Sequence, residues 1–338
     1  MEQRKIMFLG RSSLVISLPK HWTELNELKR GDVVSVATNR DRSLVVFPGV
    51  KKAREANKTT LYVELDEEEV SVVRKIIACY LNGYSGIKLI SKKFFTVAQQ
   101  KAIRNIVQIL YMRIMEADTK EIHIATLMDE TKASIQTGIN RMYKISSSMC
   151  RDALTALKNE DAGLARAVYT LDDEVDQFSF FVLRMLRRAA VDSTLANQLS
   201  LEPLDCLDYQ TLVHRIEQVA DQAANIAKHL IMLEGRRKKV SKPILEKMYV
   251  AGCDALASYD KAINALLSND VTCSDEIIEG QARIEKLDQE IASLAFLKEK
   301  STEVICACCS IRDSIQRMAE YVADIAEITI NRFYTPSA

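Results

Sequence analysis

The sequence predicts a mixed, mainly α protein. A small β unit comes first, then a short α/β module, then a body of six helices in two three-helix repeats. Three observations carry this. Pro and Gly are scarce, 5 and 10 in 338 residues, which leaves long stretches free to be helical. Short β-type runs and turn residues crowd residues 1–50, whereas from residue 130 onward the chain reads as helix after helix. Residues 215–227 also lie over residues 314–326 at a shift of 99, polar on polar and apolar on apolar, which marks an internal repeat.

The elements follow in order. Residues 6–9 form an apolar run ended by Gly10, and residues 14–18 a second ended by Pro19. Residues 20–28 suit one or two helical turns. Arg30-Gly31-Asp32 is a turn, 33–37 a strand, 39–42 a second turn and 43–47 a strand, closed by Pro48-Gly49. Fewer than fifty residues of short strands make a marginal core, so this unit is expected to complete itself by dimerising. Residues 51–58 are a charged linker. Residues 59–129 read β-α-β-α-β. The strands are 61–65, 87–90 and 121–128. One helix starts at an Asp66/Glu69 capping box, runs through Cys79 and stops by Gly83. A second runs from Thr96/Gln99 to about residue 112. The module has no glycine-rich phosphate loop and no nucleophile motif, and reads as a spacer or regulatory piece.

Helices are then expected at 131–158, 164–190 and 209–233, and again at 243–267, 275–298 and 302–331. The turn at 159–161 corresponds to that at 269–270. Loop 191–208, with Pro203, and linker 235–241 separate the pieces. The expected divisions are 1–50, 51–129, 130–234 and 235–332.

Charge is balanced overall, 46 Lys/Arg against 46 Asp/Glu, but residues 1–58 hold twelve basic and six acidic residues. A basic head attracts nucleic acid; an acidic body attracts cations. No apolar run has the length of a membrane span, so no membrane insertion is expected, and the N-terminus makes a poor signal peptide, so the expected compartment is the cytoplasm. Eight cysteines without framework spacing are expected to be free thiols.

Helix 209–233 poses the functional question. Leu212, Ile216, Val219, Ala223, Ile226 and Leu230 share one face, and His214, Glu217, Asp221 and Asn225 share another. Glu217 and Asp221 stand one turn apart, within reach of one cation, and Asp173 and Asp176 on the preceding helix are placed to face them. Carboxylate oxygens suit hard cations, and His214 shifts the preference toward iron or zinc. Asp221 falls nearly opposite the apolar stripe, which puts any such site on a solvated surface. The second repeat offers a weaker set, Glu285, Asp288, Glu320 and Asp324, with Gln316 where the first repeat has Glu217. An acidic row is also what a plain solvated face looks like.

Other groups read as structural. Cys306, Cys308 and Cys309 lack a second thiol pair at zinc spacing. Arg184, Arg187 and Arg188 end a helix, where cations offset its dipole; the alternative is a docking patch for an acidic or phosphorylated partner. An enzyme is not expected. A carboxylate di-iron oxidase needs Glu-x-x-His on two helices, and this chain has His214-x-x-Glu217 once, in reverse.

Two resemblances sharpen the reading. Gly10-x-Ser12-Ser13-Leu14-x-Ile16-x-Leu18-Pro19-Lys20-x-Trp22, then Leu28-Lys29-Arg30-Gly31-Asp32-x-Val34, then Leu44-Val45-Val46-x-Pro48 resemble the AbrB/SpoVT/MazE family of swapped-hairpin domains. That resemblance implies a barrel interleaved from two chains, many of whose relatives bind DNA. Carried over, Arg4, Lys5, Arg11 and Lys20 would face DNA, with Ser12 and Ser13 as backbone-positioning donors. The alternative is a barrel that only dimerises the chain.

Asp172-Asp173-x-Val175-Asp176 and Arg215-Ile216-Glu217-x-x-Ala220-Asp221-x-Ala223-x-Asn225-Ile226-Ala227, with weaker copies at Glu285-x-x-Asp288 and Gln316-x-x-Ala319-Glu320-x-x-x-Asp324-Ile325-Ala326, resemble the PhoU family. That resemblance implies a repressive adaptor in phosphate uptake, partnered with a phosphate-transporter ATPase or a sensor protein. Some members hold iron or zinc on such carboxylates. The combined expectation is a homodimeric or larger regulator of phosphate homeostasis acting through DNA, protein and metal contacts. The alternative is a transcription factor answering a metal or another signal.

Overall fold

The computed structural model describes residues 2–10, 12–38, 42–49, 57–126, 134–236 and 238–335. The chain forms two compact units, Met1–Ala56 and Asn57–Ala338.

In the first unit, β1 (Met7–Leu9) and β2 (Ser13–Val15) pair antiparallel, with Phe8 opposite Leu14. Gly10 turns the hairpin at φ +70°, a conformation that favours glycine. After Pro19 comes α1 (Lys20–Leu25), and β3 (Val34–Thr38) pairs antiparallel with β4 (Leu44–Pro48). No described residue of this unit is buried. Phe8 stays 76% exposed, Ile6 68%, Leu14 62% and Leu25 72%. The two hairpins carry apolar side chains and have no core of their own to place them in.

The second unit opens with the α/β module: β5 (Lys58–Val63), α2 (Glu69–Leu81), β6 (Gly86–Ser91), α3 (Val97–Ile109), β7 (Met112–Ala117) and β8 (Glu121–Thr126). The sheet order is β5-β6-β8-β7, with β5 and β6 parallel and the other pairs antiparallel. The Thr96/Gln99 capping box forms as expected, with Gln99 N–H donating to Thr96 Oγ1 at 3.1 Å and Thr96 N–H to Gln99 Oε1 at 3.0 Å. The Asp66/Glu69 box does not form. Glu68 is the N-cap, without a side-chain bond, and Glu67 instead accepts from Ser71 and Lys75. The expected helix to about residue 112 is corrected: it is shorter, and a strand not expected from the sequence, β7, follows it. In the structure α3 stops at Ile109, and Tyr111 takes a left-handed turn at φ +51° without any Gly or Pro to announce it.

The body comprises α4 (Ile135–Asn159), α5 (Ala162–Val191), the short α6 (Ser193–Gln198), α7 (Pro203–Gly235), α8 (Lys242–Ser268), α9 (Val271–Glu279), α10 (Gln281–Lys298) and α11 (Thr302–Phe333). The repeat shows in its turns. Glu160 and Asn269 both end a helix in the left-handed region, and Asp161 and Asp270 cap the next, each accepting an N–H three residues on at 3.0 Å. This pairs Glu160 with Asn269, one residue away from the match of the two asparagines. Pro203 sits in the first turn of α7, so the helix starts six residues before the expected Tyr209, within the stretch read as loop. The helix expected over 275–298 is two, divided at Gly280, the poorest helix former in that stretch.

One apolar core runs through both repeats. Along it, α4 and α8 are stitched by Ser146 to Tyr259 at 2.8 Å and by Tyr143 and Ser147 to Asp260 at 2.8 and 3.1 Å. Asn225, on the polar row of α7, donates to Ser314 of α11 at 2.8 Å, so its amide serves the seam between repeats. Among the described residues no helix is long and apolar enough to cross a membrane.

Candidate functional site: an acidic groove between α5 and α7

Helix α5 presents Asp172, Asp173 and Asp176, and α7 presents Glu217 and Asp221. The intervals of three and four residues keep each set on one side of its helix. The expectation of a solvated outer face is corrected here: Asp172, Asp176, Glu217 and Asp221 are half-buried where the helices pack, and Asp173 alone is exposed. Burial first, and the neighbouring carboxylates second, hold Glu217 up to about 8, Asp172 to about 7 and Asp176 to about 6. Burial raises Asp221 as well. No basic side chain among the described residues pairs with any of the five. Asp172 was part of the quoted motif but not of the expected ligand set. Its four-residue step from Asp176 was the signal that places it here.

His214 does not join this cluster. The residue lies at the surface, and partial desolvation of its imidazole, then the adjacent Arg215, depress its basicity. Among the described residues no three His, Cys, Asp or Glu side chains converge closely enough to hold one ion. The groove fits a cation in charge and in donor chemistry, and gathering its oxygens around one requires side-chain movement.

In the second repeat two of the four acids in the corresponding row, Asp288 and Asp324, are paired with arginines. Arg312 meets Asp288 at 2.9 Å and Arg283 meets Asp254 at 3.0 Å. Arg317 meets Asp313 at 2.9 Å. Arg215, reaching across from α7, meets Asp324 at 2.7 Å and lies over the Tyr321 ring. The Arg312 and Arg215 contacts are charge pairs whose Nε–H does not point along the contact, so they neutralise without a hydrogen bond. Glu320 accepts from Gln316 at 3.1 Å, and Glu285 is exposed. The two repeats are therefore electrostatically unequal, through the loss of one acid at Gln316, which the matching of polar positions shows, and through the arginine pairs, which it does not.

In the first unit, Arg4 pairs with Glu2, Lys20 meets Glu24 at 3.6 Å, and Lys5, Ser12 and Ser13 are exposed. Arg11 lies outside the described residues. Of the three neighbouring thiols, Cys308 is buried, with its thiol pushed up to about 12, and Cys306 is exposed. Of the α5 arginines, Arg188 lies in the last turn as expected, whereas Arg184 and Arg187 serve another role. Arg184 is 2% exposed and donates to the backbone carbonyls of Tyr80 and Tyr84, while Arg187 donates to Asn82 Oδ1 at 3.0 Å. They hold the end of α2 in the α/β module.

Two helical repeats on one continuous apolar core, with a set of half-buried carboxylates in one of them, define a class of repeated helical-bundle protein. The comparisons narrow it. The chain belongs to the PhoU family: the model of the PhoU domain matches residues 139–230 and 252–329, one stretch in each repeat. It is similar to a phosphate-specific transport system accessory protein PhoU homolog of Pseudomonas aeruginosa, 22% identical over 232 residues, covering 64% of this chain and 89% of that one. In fold it is similar to the crystal structure of PhoU from Pseudomonas aeruginosa, with TM-score 0.50 and 17% identity over 58% of this chain and 93% of that one. The phosphate transport system regulatory protein PhoU from Streptococcus pneumoniae gives TM-score 0.51 and 16% identity over 59% and 93%.

Proposed function

We propose that this protein is a non-catalytic, repressive regulator of phosphate uptake. Its helical body acts as an adaptor for a phosphate-transport ATPase or a sensor protein and binds one divalent or ferric cation in the first repeat. The observation that carries the reading is the family match across both repeats, joined to a set of half-buried carboxylates in the first repeat that no arginine pairs with, where Asp288 and Asp324 of the second are paired. Asp172, Asp176, Glu217 and Asp221 would hold the cation, with Asp173 at the rim. It would supply positive charge that draws α5 and α7 together. Titration of the metal-free chain with Mn²⁺, Fe²⁺ and Zn²⁺ tests this. One site per chain is expected, lost in Asp176→Asn/Glu217→Gln; no uptake of any of the three removes the cation from the reading. Co-purification with the transport ATPase tests the adaptor.

The N-terminal unit dimerises the chain and brings it to DNA. Its sequence pattern and its excess of basic residues support this. A second reading, a unit that only dimerises, is favoured by the engagement of Arg4 with Glu2 and of Lys20 with Glu24. Recovery of genomic fragments at two salt concentrations separates them. Selective fragments near phosphate-transport genes, lost in an Arg11→Ala/Lys20→Ala variant, are expected; no selective recovery leaves a dimeriser.

A further inference from the structure

The α/β module lies before the residues matched by the family model. Its sheet ends in two unlike edges, β7 and β5. β7 carries a bulge between Ile114 and Glu116 and exposes Arg113 and Glu116, devices that blunt an edge against pairing. β5 has neither bulge nor Pro, and its one charge stands at its first residue, Lys58. It pairs with β6 in unbroken register from Lys58 opposite Gly86 to Val63 opposite Ser91, and Thr59, Thr60, Tyr62 and Val63 are strand-forming types.

The outer side of β5 is open. Gly86 N–H donates to the Asn57 carbonyl at 3.3 Å, so that carbonyl points at β6. Main-chain groups alternate sides along a strand, which turns those of Lys58, Thr60 and Tyr62 away from the sheet. Among the described residues nothing bonds to them. Leu61 and Val63 face the module's core, and Tyr62, on the other face, is 65% exposed.

We propose that β5 pairs antiparallel with β5 of a second copy of this chain, joining two modules into one continuous sheet. This rests on the reading of the first unit as a dimeriser, because six residues of strand are too small an interface to hold two chains unaided. β4 ends at Pro48 and β5 begins at Lys58, so two chains joined by the first unit keep their β5 strands at high effective concentration. The strand also complements itself. Opposed residues of an antiparallel pair share a face, and a two-fold axis through Leu61 sets Leu61 opposite Leu61 and Thr59 opposite Val63 on the core side. On the open face Thr60 stands opposite Tyr62, a β-branched side chain against an aromatic one. The outward main-chain groups of these two residues exchange both hydrogen bonds. Lys58 of each strand stands opposite Glu64 of the other, which holds Lys92 at 2.8 Å and has lone pairs for a second cation. An axis through Thr60 or Tyr62 loses that charge match.

Cysteine cross-linking of the full-length chain tests this. In Leu61→Cys the two introduced thiols meet in a non-hydrogen-bonded pair, with Cα atoms about 4.5 Å apart and within disulfide range. Mild oxidation is expected to give a reducible dimer at least about tenfold faster than in Thr60→Cys or Tyr62→Cys, whose two copies are offset along the diagonal, beyond that range. The native chain, with its eight free thiols, sets the background. Adding Thr60→Pro removes an outward N–H that β6 does not use and is expected to abolish the cross-link. Lys58→Glu, an exposed change that sets like charges opposite each other, slows it by about threefold and serves if the proline variant does not fold. Light scattering on the same samples reads the mass. A dimeric chain that cross-links at none of the three positions, or no faster at Leu61 than at the others, overturns the pairing and leaves the dimerising unit standing. Cross-linking that survives both Thr60→Pro and Lys58→Glu also overturns it. A monomeric native chain removes the dimerising unit and the pairing together.

Discussion

Glu217→Gln is expected to stabilise the protein at pH 8.5 and to leave it unchanged at pH 4. Glu217 is held up to about 8, by burial first and then by Asp221, Asp176 and Asp172. A carboxyl whose pKa is raised by folding binds its proton more tightly folded than unfolded. Its stabilising contribution is therefore complete below the unfolded value of about 4 and is lost as pH rises through the folded value. With Asp176 and Asp172 at about 6 and about 7, the loss runs from about pH 4 upward and is complete only near the folded value of Glu217. Arg215, two residues before Glu217 on the same helix, is committed to Asp324 at 2.7 Å. Glutamine keeps the shape and removes the charge. After discounting for solvent at these half-buried groups, the gain is about 1 kcal/mol, or roughly 2–4 °C in melting temperature. Saturating Mn²⁺ is expected to raise the native melting temperature by more than that and to leave the variant nearly unchanged. Melting curves across pH 4–9, with and without Mn²⁺, read both effects. An equal gain at pH 4 and 8.5 would mean that repacking, and not charge, is responsible.

Deletion of residues 1–56 is expected to lower the oligomeric state while leaving the body folded. The two units are compact separately, and the second has its own continuous cores in the module and the helices. The first has no buried residue among those described, yet carries Phe8, Ile6, Leu14 and Leu25 largely exposed. Apolar side chains so exposed, on hairpins too small to stand alone, call for a second copy. At about 25 cal/mol per Å², covering a few such side chains contributes several kcal/mol per chain, enough to hold a dimer. Light scattering on both chains reads the change in mass, and circular dichroism confirms the helices. A deleted chain that keeps the mass of an oligomer would place the interface in the helical body.

Most of the fold was legible in the sequence because its signals are local and periodic. The two helical repeats follow from apolar spacing and from the 99-residue self-match, and the Thr96/Gln99 start follows from a capping box complete within four residues. Where local signals were silent the reading slipped. Tyr111 makes its left-handed turn with an ordinary residue, so the end of α3 and the strand β7 went unseen. The groove was half legible. Spacing put Glu217 beside Asp221 and Asp173 and Asp176 on one helix, and Gln316 marked the acids of the second repeat as the weaker set, but nothing in the spacing showed that Arg312 and Arg215 pair with Asp288 and Asp324.

By itself the sequence determined the helices, their repetition and the residue types of the polar rows, because periodicity and composition act over a few turns of chain. Tertiary structure alone decided which carboxylates are charged neighbours and which are neutralised. Arg215 and Arg312 reach partners on other helices, and no spacing within one helix reveals that. It also decided that Arg184, a residue that reads as a surface cation ending its own helix, lies buried against the carbonyls of another. Charge is assigned along the chain, but its cancellation and its burial depend on what folding brings alongside.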